Sequence, residues 1–249
     1  MSKMRDHPIK KVEDEEYVLS APKLLEYEIG SLQKMAIISW PSELSEWKRT
    51  FLQASKTAQN SKSLNLHISF RAADPRAGAV DTMHYIELGG EISGGTSPHI
   101  SYFFAIGCDH SGGYREGLRK LHFDVDPVFS ASEPKPVVHI QFPGRMPPKL
   151  KQAGYKADAF ELLHPKLDKP RIPSIPTSFA LLVHWAFLEY HVTDPKLGAL
   201  IAAPEWLSIV NSAERRLLTP YFRFSQQWRD RASNDKQSLL SHFYGLSRP

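Results

Sequence analysis

With 249 residues, 41% of them apolar and 23% charged, the chain is long enough for a substantial core and too balanced in composition for a disordered or fibrous protein. A formal charge of +4 is too mild to name a polyanion as partner by itself, and the single cysteine, Cys108, excludes an internal disulfide and any cysteine-based zinc site. No stretch approaches the roughly eighteen consecutive apolar residues of a membrane span, and the charged start MSKMRDHPIKKVEDEE lacks the apolar run of a secretory signal, so the expectation is a soluble, cytoplasmic protein with no membrane contact.

A single domain over residues 1–249 is expected, with residues 1–16 as a flexible, charged lead-in. From Tyr17 to Trp40, Leu24, Leu25, Ile29, Leu32, Met35 and Ala36 recur at helical spacing, while Gly30 and the run MAIISW leave a strand open. Ser42 then stands in cap position behind Pro41, and Leu44, Trp47, Phe51, Ala54 and Ala58 form one apolar stripe. An amphipathic helix ending near Asn60 follows from that pattern.

Between Leu64 and Phe142 the period changes to two. LNLHISFR, MHYIELGGEI, HISYFFAI, LHFDVD and VVHIQF are short, rich in β-branched and aromatic residues, and separated by Gly, Pro, Asp and Ser. The spacers are too short for helical crossovers, the one containing Gly113 to Lys120 being the single candidate exception, so an antiparallel meander is favoured. Residues 143–176 hold seven of the nineteen prolines, with seven basic side chains against three acidic ones, and predict one long basic loop. Residues 177–249 read as a helical part: Thr177 as cap, then Phe179, Leu182, Val183, Ala186, Phe187 and Tyr190 on the helical period. A further helix over Glu205–Leu218 and a last one or two from Pro220 to Tyr244 follow. The fold class is α+β, a central antiparallel sheet of about five strands covered by N-terminal and C-terminal helices.

The strand LHFDVDP raises the functional question, because it places His122, Asp124 and Asp126 on one face. Turning every apolar phase inward leaves Asn65, His67, Ser69 and Arg71 outward in the first strand, His99 and Ser101 in the third, and His139 and Gln141 in the last. In the second strand, burying Ile86 and Leu88 sends Tyr85 and Glu87 outward and His84 inward. Imidazoles and carboxylates brought together across strands are a ligand set for a divalent ion, and paired aspartates suit Mg2+ or Mn2+. The competing reading is a half-solvated sheet that alternates polar and apolar residues for solubility alone.

The run SGGYREGLRKLHFDVDP resembles the nucleotidyltransferase signature, a glycine pair followed by an acid-apolar-acid strand. That resemblance implies Gly112 and Gly113 at a triphosphate and Asp124 with Asp126 on two metal ions. Pro127 and His139 stand where the pattern asks for an apolar residue and a third acid. Residues Leu121 to Phe142 are also similar to prokaryotic toxin–antitoxin and phage-defence families that pair an FD strand with a His-bearing one, which implies an accessory, intracellular conflict role and carries over no established catalytic residue.

Other clusters have plainer readings. GCDHSGG around Cys108, Asp109 and His110 reads as a glycine turn, and GGEISGGTSPH as a hairpin loop without the ending of a phosphate loop. His184 and His191 lack metalloprotease spacing. The composite expectation is a protein that engages a phosphate-bearing partner, nucleic acid or nucleotide. If it is an enzyme, Asp124 and Asp126 hold Mg2+ or Mn2+, His122 or His139 serves as acid or base, and Arg71 or Arg145 faces developing phosphate charge. Gln141, Lys149, Lys151 and Lys156 are the binding residues. The rival is a non-catalytic, antitoxin- or immunity-like module that docks a protein partner on the same face.

Overall fold

The computed structural model describes residues 19–75, 82–93, 99–110, 112–125, 138–141, 146–156, 172–223 and 226. The ambiguous opening segment is a helix, α1 (Ala21–Met35). Ala21, Leu24, Leu25, Leu32 and Met35 give it one buried stripe, and the Trp40 indole N–H donates to the Met35 carbonyl just beyond its end (2.8 Å). MAIISW therefore forms no strand. A 3-10 turn (Ser42–Leu44) precedes α2 (Trp47–Ser61), so the Ser42 signal marks that turn and the α-helix starts five residues later.

Five strands follow in chain order, β1 (Ser63–Ala73), β2 (Met83–Ser93), β3 (His99–Asp109), β4 (Arg115–Val125) and β5 (Val138–Gln141). The short β6 (Ile172–Pro173) completes a six-stranded, fully antiparallel sheet of order β1-β2-β3-β4-β5-β6, one strand more than expected. The segment around Gly113–Lys120 is no crossover: Gly112 and Gly113 turn the chain at φ of 95° and 81°, and β4 begins at Arg115. A register shift against β3 at Ile106/Gly107 accommodates one extra residue in β4. Arg115 and Gly117 thereby keep the same face as Lys120, His122 and Asp124.

One face carries Leu64, Leu66, Ile68 and Phe70 from β1, Ile86, Leu88 and Ile92 from β2, and Ile100, Tyr102 and Phe104 from β3, all buried. Helices α1, α2, α4 (Phe179–Tyr190) and α6 (Pro204–Ala213) enclose it, with α5 (Pro195–Ile201) joining the last two. Helix α4 is apolar around most of its circumference because it lies centrally. Trp47 and Phe187 stack at 5.9 Å, and Trp40, Phe51, Phe70 and Trp206 close around them. Its cap is Ser178, whose side chain accepts from the Leu181 N–H (3.2 Å), rather than Thr177. The helix expected over 205–218 is α6 followed by a π-turn (Glu214–Leu218).

The basic segment is not one unstructured loop: it contains α3 (Pro148–Gln152) and β6. Leu150 and Tyr155 pack on the opposite face of the sheet against Phe103 and Ala105. Beyond α3, the Lys156 N–H donates to the Arg115 carbonyl (3.0 Å) and the Gly117 N–H to the Lys156 carbonyl (3.1 Å). The start of β4, which β5 does not reach, is thus bridged on its open edge. The expected lead-in, residues 1–16, and most of the helix expected from Pro220 to Tyr244 lie outside the described residues.

Candidate functional site

Register places the predicted polar set on one face. Ser101 pairs with Asp124 and Asp124 with His139, while Phe103 pairs with His122 and His122 with Gln141. The Asp124 carboxylate accepts a hydrogen bond from the Gln141 amide, with His139 Nε2 at 3.9 Å from one oxygen and His122 Nδ1 at 3.8 Å from the other. Ser101 Oγ lies 3.4 Å from His122 Nδ1. Asp124 Oδ1 and His122 Nε2 are buried and have no hydrogen-bond partner among the described residues. Burial first, then the charges of Lys120 and His99, hold the His122 imidazole down to about 3, so it is neutral near pH 7.

Beside this group runs a second chain of ionisable residues, in which Glu87 and Lys120 are buried where simple alternation predicts a wet face. Glu87 is fully buried on the face opposite the helices, where one oxygen lies 3.1 Å from His67 Nδ1 and the other accepts from the Leu150 N–H (2.9 Å). Lys120 is buried as well, its ammonium 4.9 Å from the Phe103 ring centroid. Desolvation lowers its pKa, and Glu87 and Asp124 oppose that shift. The available signal was the outward phase of β2 and β3, which reads Gly89, Phe103, Ala105 and Gly107 instead of polar residues. Small residues on a supposedly wet face mark a cover: a Cβ on Gly107 would lie 2.5 Å from Leu150 and 2.6 Å from Tyr155.

Arg71 belongs elsewhere. It pairs with Tyr85 on β2, lies over that ring at 6.0 Å and reaches Asp109 at 3.4 Å, whereas Asp124 is opposite Ser101 at the other end of β3. The offset is three strands across and six residues along, on the order of 25 Å. Arg71 therefore cannot act on a group held at Asp124, a correction to its expected role. Residues that share a face by alternation are still separated by their position along the strand.

At the Arg71 end the β3–β4 turn and the end of α3 enclose a hollow of about 510 Å3 lined by Gly112, Gly113, Tyr114, Arg115, Gly154 and Lys156. Arg115 is held in place by Asp109 (3.5 Å), the Ala153 carbonyl (2.6 Å) and the Tyr155 ring (5.8 Å). Lys156 is exposed, its ammonium 5.4 Å from the Tyr114 centroid. Lys149 and Lys151 lie on α3, Lys149 half-buried and Lys151 exposed. Asp126 and Arg145 lie outside the described residues.

Among the described residues no group of three or more His, Cys, Asp or Glu side chains is placed to hold a metal ion. Of the expected Asp124–Asp126 pair only Asp124 is described, and one of its oxygens accepts from Gln141. No helix among them is long and apolar enough to cross a membrane. No family model, curated protein or solved structure matches the chain.

Proposed function

We propose that the protein engages a phosphate-bearing partner, nucleic acid or nucleotide, at the rim formed by the β3–β4 turn and the end of α3. The observation that carries this reading is the hollow in which the exposed Lys156 lies over Tyr114 beside three glycines at positive φ, Gly112, Gly113 and Gly154. A cation beside an aromatic ring suits a phosphate joined to a base, the one by charge and the other by stacking, and bare glycine backbone admits a close approach. The single cysteine, buried as Cys108, accommodates a reducing, cytoplasmic setting. The resemblance to toxin–antitoxin and phage-defence families supplies a context in which such a partner is expected.

Catalysis is the second reading, favoured by the unpartnered Asp124 Oδ1 and His122 Nε2. The imidazole and the carboxylate can accept hydrogen bonds from a hydroxyl or water and so orient it toward a phosphoryl group, whereas burial makes His122 itself a weak proton acceptor. Asp124 stands opposite Ser101 and Arg115 opposite Asp109, eight residues along β3 and on the order of 25 Å apart. One mononucleotide cannot reach both, so use of both ends requires an extended polynucleotide.

Fluorescence anisotropy with a labelled single-stranded oligonucleotide and with a labelled nucleotide tests the reading across a salt series. Lys156→Glu should weaken binding at least about tenfold and lower the salt slope by about one, and Tyr114→Ala should weaken it with the slope unchanged. Wild-type-like binding by Lys156→Glu would sink the rim. Oligonucleotide cleavage that Asp124→Asn and His122→Gln abolish supports the catalytic reading, and binding without turnover supports a docking module.

A further inference from the structure

On the helix side of the molecule a groove of about 340 Å3 runs between α1 and the α6–π-turn junction. Lys23, Tyr27, Gly30 and Lys34 follow one another at helical spacing along its α1 wall, and Ile209, Ser212 and Arg216 do so along the other. Three cations thus face one acidic side chain, Glu26. Lys34 and Arg216 are exposed and have no ion pair or hydrogen bond through their side chains among the described residues.

Two further observations set this groove apart from an ordinary solvated surface. Gly30 sits in the middle of α1, where glycine disfavours the helix, and a Cβ there would meet nothing within 4 Å, so the missing side chain leaves the groove open. Arg216 is carried by a π-turn, a rare local winding that recurs at ligand sites.

We propose that this groove is a binding site for a small phosphate-bearing molecule, its phosphate held by Lys34 and Arg216 and its organic part lying on Tyr27 and Ile209. The cations supply charge-assisted hydrogen bonds to a tetrahedral anion, and a cavity of this size holds a metabolite-sized ligand. The site is separate from the rim at the β3–β4 turn and does not depend on it.

Thermal unfolding of the full chain in inorganic phosphate and in glycerol 3-phosphate, against chloride at matched ionic strength, tests the proposal. At ligand ten times above Kd the wild type should gain about 3–5 °C over chloride. Arg216→Gln should lose that gain. Gly30→Leu should lose it too while unfolding at no lower temperature than the wild type without ligand, because it adds a helix former in open space. Lys156→Glu should keep it. A larger gain with the ester than with phosphate assigns a role to the organic part, and equal gains restrict the site to the free anion. Absence of any gain over chloride, a wild-type response in Gly30→Leu, or loss of the response in Lys156→Glu would each overturn the proposal.

Discussion

Glu28 and His122 carry opposite departures from ordinary acidity, and both follow from burial. Glu28 is fully enclosed between α1, β3 and the start of α4, accepting from Tyr102 Oη (2.6 Å) and the Phe179 N–H (2.8 Å). Desolvation outweighs those two bonds and pushes its carboxyl up to about 7. The folded chain therefore binds a proton between about pH 4.5 and 7 that the unfolded chain lacks. Its contribution is fully present below 4.5 and is lost as pH rises to 7, about 3 kcal/mol in all. His122 works the other way. Its imidazole is neutral in the fold down to about pH 3 but protonates in the unfolded chain below 6.5, so its contribution is present above 6.5 and is lost as pH falls. Between pH 4.5 and 6.5 the two slopes oppose each other. Denaturant unfolding across that window should show stability rising with pH in Glu28→Gln and falling with pH in His122→Asn, and parallel profiles for the two variants would refute both assignments.

At the scale of the element, α3 is a five-residue helix with little intrinsic stability, held to the sheet by Leu150, Tyr155 and the bond from the Leu150 N–H to Glu87. Leu150 is fully buried, so Leu150→Ala should cost about 2–4 kcal/mol at this site. The cost should appear as local opening rather than global unfolding, because Leu150 and Tyr155 form a cluster separate from the main core. Hydrogen exchange should show lost protection at 148–156 with the strands unchanged. Gly107→Val should have the same footprint, because its Cβ would lie within 2.6 Å of Leu150 and Tyr155. Unchanged protection at 148–156 in Leu150→Ala would mean that the helix is anchored by something else.

For the whole molecule, stability resides in the aromatic layer between α2, α4, α6 and the sheet. Phe187 touches four other rings there and is fully buried, so Phe187→Ala should cost about 3–5 kcal/mol and lower Tm by on the order of 10 °C. A thermal melt showing a drop of a degree or two would place the core elsewhere. This layer was legible in advance, because Trp47, Phe51, Phe179 and Phe187 fall on helical stripes while Ile68, Phe70, Ile86 and Phe104 fall on alternating ones, and burial of one face forces the phase. The same logic placed His122, Asp124, His139 and Gln141 on a common surface, and the cross-strand register brings them together. β4 was underestimated because Gly117 and its charged flanks hide strand character that pairing with β3 supplies. The burial of Glu87 and Lys120 was legible only as the small and apolar residues beside them on that face, since the residues that cover it come from α3 and Tyr155, far along the chain. The α+β class, the sheet with helices before and after it, and the side chains that share a face in every strand except the first half of β4 follow from the sequence alone, because two-residue and 3.6-residue periods are local properties of the backbone. Only the tertiary structure decided how far apart those side chains stand along the strands and which of them lose water, because register and cover are set by contacts between segments that no local pattern encodes.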